Sequence, residues 1–185
     1  MVLVELHEGL LQDPATVACQ GHDGWRVLTA CLVDATSSKL ESFNADKCPL
    51  LAEAAAWGDR EFADFLGLFT SIAAKAKVAR PWEQMMDRKQ LHDVGDIKLS
   101  NGNPAKVWQF EKKRTAVRVL WLYAGGRRVL LVTHGFLKRA RHTPDDQKGR
   151  AAATANRFFG AVEQGTARLV FEQKGRSGFE VLYGK

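Results

Sequence analysis

VWQFEKKRTAVRVLWLYAGGRRVLLVTHGFLKRARHTP, residues 107–144, carries the reading of the fold. From Lys106 onward the apolar positions recur with a period of two, the period of a strand with two different faces. KVWQFEK, AVRVLWLYA and RRVLLVTHGF read as three strands, joined by KRT and by Gly125-Gly126. Connections this short make an antiparallel meander. In the middle strand Val117, Val119, Trp121 and Tyr123 share one face, and Arg118, Leu120 and Leu122 share the other. The last strand is apolar on both faces, so it is expected to be central or covered on both sides. It then spills into Lys138, Arg139, Arg141 and His142 and stops at Thr143-Pro144. A helix to about Val162 follows, with Thr143 as N-cap, Pro144 at the first helical position and Asp145 and Asp146 at the positive end of the dipole.

Upstream, residues 24–34 (GWRVLTACLVD) are apolar and β-branched and read as a strand, and residues 35–49 read as loop with a short helix. A helix is expected over 50–79, broken at Trp57-Gly58 and restarted with Asp59 as N-cap. Phe62, Phe65, Leu66, Phe69, Ile72, Ala73 and Ala76 fall at three- and four-residue steps, which makes them a core stripe. Pro81 ends that helix. A second short helix is expected in residues 81–96, then a turn at 100–104. Residues 1–24 are weakly patterned, and the tail reads as two short strands around Gly175-Arg176-Ser177-Gly178.

The chain has 185 residues, 45% hydrophobic and 26% charged, in the range of one globular domain with additions. No apolar run approaches the ~20 residues needed to cross a bilayer, and the first residues do not form a convincing signal peptide. A cytoplasmic protein is expected. Cys19, Cys31 and Cys48 form no CxxC pair and are expected to be reduced thiols. The histidines, His7, His22, His92, His134 and His142, have no ligand spacing, so neither metal nor cofactor is expected. The net charge is +6, unevenly spread: −5 over residues 1–105, +9 over 106–150 and +2 over 151–185. A basic segment with few acids fits a polyanion, although a solvated face of lysines and arginines has the same composition.

The cations come from three places: Lys112, Lys113 and Arg114 in one turn, Arg118 inside a strand, and Lys138, Arg139 and Arg141 where the last strand ends. Strands about 4.8 Å apart allow them to converge on one patch. Such a patch stabilises the charge that builds on phosphoryl oxygens when an RNA 2′-hydroxyl attacks the adjacent phosphate. His142 and Glu111 are the nearest candidates for general acid and base. His134 reads as a hydrogen-bonded structural residue. A pairing of Arg118 with Glu111 that only shapes the sheet remains open.

The order strand, helices, meander, helix, together with Arg118-Val119-Leu120-Trp121, Gly135-Phe136-Leu137-Lys138-Arg139 and Thr143-Pro144, resembles the RelE/ParE toxin superfamily in its phage-derived HigB-like branch. Gln109-Phe110-Glu111 and Lys112-Lys113 depart from the usual pattern. The resemblance implies an α+β fold, a RelE-like twisted antiparallel sheet packed against helices. It would span residues 25–163, with an N-terminal extension over 1–24 and a C-terminal β-hairpin extension over 164–185. It implies the toxin of a type II toxin–antitoxin system, a ribosome-dependent endoribonuclease that cuts mRNA, partnered by an antitoxin of helix-turn-helix type. Arg118, Lys138 and Arg139 align with the catalytic cations, leaving Lys112, Lys113, Arg114, Arg141 and His142 to bind RNA. Two other readings stand beside it: a non-catalytic module whose basic face binds nucleic acid or an acidic protein, and a ParE-like gyrase-inhibiting toxin.

Overall fold

The structure is a computed structural model that describes residues 1–6, 24–32, 47–125, 128–139, 142–173 and 176–182. The strands are β1 (Val2–Glu5), β2 (Arg26–Cys31), β3 (Leu91–Lys98), β4 (Pro104–Glu111), β5 (Val117–Tyr123), β6 (Val129–Leu137), β7 (Arg168–Gln173) and β8 (Arg176–Val181). The helices are α1 (Pro49–Ala55), α2 (Asp59–Ala76), the single turn α3 (Trp82–Met85) and α4 (Asp145–Glu163). All eight strands form one sheet in the order β3-β4-β5-β6-β2-β1-β7-β8.

The fold is α+β, but the sheet is mixed rather than antiparallel. β2 runs parallel to β6, and β1 runs parallel to β7. Connectivity allows the first: α1, α2, α3 and strands β3 to β5 separate β2 from β6, and such a long connection permits a parallel neighbour. β6 therefore lies between β5 and β2, buried at eight of its nine positions, as its two apolar faces require.

Strand alternation divides the core into two layers. One face carries Val27, Phe110, Val117, Val119, Trp121 and Val132 against α1, α2 and α3. The other carries Leu28, Val107, Leu120, Leu122 and Leu131 against α4. On the first face α2 buries Phe65, Leu68, Phe69, Ile72, Ala73 and Ala76, while Phe62 and Leu66 are half-buried at its flank. Trp82, fully buried, comes down from α3 onto Phe110 and Trp121, at ring separations of 5.2 and 6.3 Å. Gly135 in β6 has a packing reason: a Cβ there would sit 3.0 Å from the Trp57 ring.

Several expectations shift. Two strands stand where none was read. β1 is one, with Leu3 fully buried. β3 is the other, an edge strand whose bulge at Asp93/Gly95 puts Gly95 at a φ of 104°. Gly58, not Asp59, is the N-cap of α2, with Asp59 in the first turn near the positive dipole end. Pro144, not Thr143, caps α4, and the Thr143 hydroxyl instead donates to Gln109 Oε1 at 3.0 Å. Arg176, Ser177 and Gly178 belong to β8, and the pairing of Gln173 with Arg176 moves the hairpin turn two residues earlier than expected. The expectations for Cys19, His7, His22, Arg141 and residues 35–46 fall outside the described residues. No helix among the described residues is long and apolar enough to cross a membrane.

Candidate active-site cleft

On the α4 side, a cleft of about 350 Å³ opens where the meander ends and α4 begins. β3 supplies His92, Asp93 and Val94, and β4 supplies Gln109 and Glu111. Lys138 enters from the end of β6, and His142, Thr143 and Lys148 from the entry to α4 and its first turn. The sheet register builds this set. His92 lies opposite Gln109 on β4, and Glu111 lies opposite Arg118 on β5.

Glu111 is the hub. Its Oε1 is 2.9 Å from Arg118 Nη2, and its Oε2 is 3.2 Å from His92 Nε2. Arg118 is 9% exposed, and its Nη1 donates to the carbonyls of Thr115 and Val117, both at 2.8 Å. Only its Nε lacks a partner. Burial pulls the Arg118 pKa down and Glu111 pushes it back up. The other carboxylate of the cleft wall, Asp93, takes Lys106 at 2.8 Å, which holds it below the usual carboxylate range. Among the described residues no carboxylate lies within ion-pair distance of Lys138. Lys148 is 3.6 Å from the fully exposed Asp145. The cleft is thus polar, with a half-buried lysine, an exposed histidine at His142 and a second histidine backed by a carboxylate.

The expected convergence of cations on one patch does not occur. Alternation sends Lys112 to the opposite face from Glu111, where its Nζ meets Asp64 of α2 at 2.7 Å. Lys113 and Arg114 are exposed in the β4–β5 turn, Arg114 at a φ of 64°. Lys138 lines the cleft, whereas Arg139 is exposed and outside its lining. Arg118 sits behind Glu111 rather than in the lining. Sequence reading missed His92, because it needs the β3 register, and Lys148, whose signal is its place one turn beyond Pro144 on the incoming helix.

His134 lies apart from the cleft as a buried structural residue. Its Nε2 is 3.0 Å from Gln147 Oε1 and its Nδ1 is 3.2 Å from the Thr133 hydroxyl. Burial first, and Arg150 second, hold its pKa down at about 4. A depressed folded-state value means that the unfolded chain binds the proton first, at about 6.5. The neutral imidazole therefore contributes its stability fully above about pH 6.5, and that contribution is lost as pH falls toward about 4. The loss is expected to reach up to about 3 kcal/mol. Denaturant titrations at pH 7 and pH 4.5 on the parent and on His134→Gln check this. The parent is expected to lose more stability across the interval than the variant, and equal losses would exclude His134 as the cause.

Cys31 and Cys48 are buried thiols, and burial pushes the Cys48 pKa up to about 11, away from any nucleophilic role at neutral pH. A second hollow of about 540 Å³, between β1, β2 and the C-terminal half of α4, has no histidine or carboxylate among the described residues that line it. No group of three or more His, Cys, Asp or Glu among the described residues is arranged to hold a metal ion. No family model, no curated protein and no solved structure matches the chain.

Proposed function

We propose that the chain is a metal-independent endoribonuclease of the RelE/HigB toxin type, acting on mRNA at the ribosome in the cytoplasm and restrained by an antitoxin. One observation carries the reading: Lys138, His142 and Glu111 meet in a single cleft with Arg118 held behind the carboxylate. Lys138 and Lys148 supply positive charge for the scissile phosphate, where it counts most as the phosphoryl oxygens gain charge. His142, exposed at the rim, is placed for proton transfer. Exposed Lys113, Arg114 and Arg139 lie outside the cleft, where they fit contacts to the flanking backbone. The order strand, helices, meander, helix supports the reading, although β3 is inserted between the helices and the meander.

A second reading has its own observation. The Arg118 guanidinium is taken up by Glu111 and two carbonyls, which favours a non-catalytic nucleic-acid-binding module in which Arg118 braces the sheet. The two readings part in one experiment. Purified protein is incubated with a single-stranded RNA, with and without programmed ribosomes, and with the same strand carrying 2′-deoxy sugars. The enzyme reading expects RNA fragments ending in a 2′,3′-cyclic phosphate and no cut in the deoxy strand. Binding without fragments in any arm favours the module.

Both readings expect a strong salt dependence, with a slope of log K against log salt near −0.7 for each neutralised phosphate of a single strand. Lys138→Ala is expected to make that slope shallower by about 0.7 if Lys138 contacts one phosphate. Fluorescence anisotropy across a salt series measures it. A slope unchanged in the variant would remove Lys138 from the interface.

A further inference from the structure

We infer that His92 is the general base of the cleft, and that Glu111, anchored by Arg118, holds its ring for that task. This rests on the ribonuclease reading of the cleft and adds a residue from β3, a strand outside the motif that suggested that reading.

The geometry is a line of three groups across three neighbouring strands. Arg118 on β5 holds one oxygen of Glu111 on β4 at 2.9 Å, and the other oxygen stands 3.2 Å from Nε2 of His92 on β3. Nε2 is closed off from solvent, although the His92 side chain as a whole is 39% exposed. The solvent-facing part of the ring is therefore made by its other atoms, which include Nδ1. A carboxylate beside Nε2 favours the tautomer with the proton there, which leaves the lone pair on Nδ1. The same carboxylate stabilises the imidazolium once Nδ1 has taken a proton, the role an aspartate plays behind a triad histidine. Nε2 and Glu111 Oε2 are 3.2 Å apart, at ion-pair distance but outside hydrogen-bond alignment. His142, by contrast, is exposed and has no carboxylate within ion-pair distance among the described residues, so it suits the acid.

The step balances without a further reactant. The proton of the ribose 2′-hydroxyl passes to His92 Nδ1 as the 2′-oxygen bonds to phosphorus. The bond from phosphorus to the 5′-oxygen breaks, and that oxygen takes its electron pair and a proton from protonated His142. The products are a 2′,3′-cyclic phosphate and a 5′-hydroxyl, and solvent exchange resets the two histidines.

Single-turnover cleavage of an mRNA on programmed ribosomes by the parent, His92→Ala, His92→Gln and Glu111→Gln tests this, with folding checked by circular dichroism. His92→Ala and His92→Gln are expected to slow cleavage by about 10²–10⁴-fold, the usual contribution of one positioned acid–base group. Because His92 sits on an edge strand with a partly exposed ring, both variants are expected to fold. Added imidazole is expected to restore part of the rate in His92→Ala and none in Glu111→Gln, whose own loss is about 10²-fold. Nitrogen-15 shifts of the His92 ring in the parent are expected to report the Nε2-protonated tautomer, a readout that needs no turnover. Cleavage within threefold of the parent in folded His92→Ala overturns the assignment while leaving the ribonuclease reading intact. So does an Nδ1-protonated ring. A parent that cuts no RNA while His92 has the expected tautomer overturns the ribonuclease reading, and the catalytic role falls with it.

Discussion

Phe65→Ala and Phe69→Ala are each expected to lower the free energy of unfolding by about 3–5 kcal/mol, the usual cost of emptying a fully buried phenylalanine site. Both side chains are 0% exposed, and their rings lie 4.7 Å apart in the middle of the α2 face. Phe65 also takes the edge of Trp57 at 5.8 Å, so its loss loosens the α1–α2 corner as well as the helix–sheet contact. Collapse around the hole is limited, because Leu68 and Ile72 beside it are themselves fixed against the sheet. The double variant is expected to cost less than the sum of the single ones, since each ring is part of the wall of the other's cavity. Urea titration with fluorescence detection reads the midpoints. Parent-like stability in both single variants would mean that the stripe is not core.

Glu111→Ala is expected to cost roughly 3–4 kcal/mol, toward the lower part of the range for breaking a buried ion pair. The reason is the group left behind. Arg118 keeps its two carbonyl contacts but loses the only carboxylate among the described residues within ion-pair reach, and its surroundings are Leu120, Phe136 and the α4 layer. Glu111 is 21% exposed, so water replaces part of what is lost, which is why the upper end of the range is not expected. Arg118→Met combined with Glu111→Leu is expected to recover most of that stability, because removing both charges removes the desolvation cost as well. If the double replacement is as unstable as Glu111→Ala alone, Arg118 is held by its carbonyl contacts rather than by the pair. The same double variant retains His92, Lys138 and His142, so its cleavage rate separates a bracing role for the pair from a role in the chemistry.

The parts of the fold legible in the sequence are those with an unbroken period. The β4–β6 meander is long enough for alternation to assign each side chain to a layer, and the α2 stripe repeats over four turns. β1 was not legible because four residues, Val2 to Glu5, are too few to distinguish alternation from a helical start. β3 was hidden for a different reason. It is an edge strand with a bulge, and only Leu91 and Ile97 in it are buried, so most of its positions had no reason to be apolar. The candidate site inherits both outcomes. Glu111, Lys138 and His142 sit at the ends of well-patterned elements and were found. His92 depended on β3 and was not. Lys112 was grouped with the wrong set, although alternation along β4 already separates it from Glu111, and Asp64 is the partner that takes it to the other layer.

β1 has a consequence of timing. It precedes every other described strand, and β2, its antiparallel neighbour, follows about 20 residues later. Its parallel neighbour β7 begins only at Arg168, so one side of β1 waits for all the elements between them to leave the ribosome. Until then Val2, Leu3 and Val4 lack that neighbour, and their unpaired edge is a template for any other extended segment. Pairings this distant in sequence are the slow ones to form. Sheet closure between β1 and β7 is thus expected to be a late step. The β7–β8 hairpin, which joins the sheet through β1, acts as its final clasp.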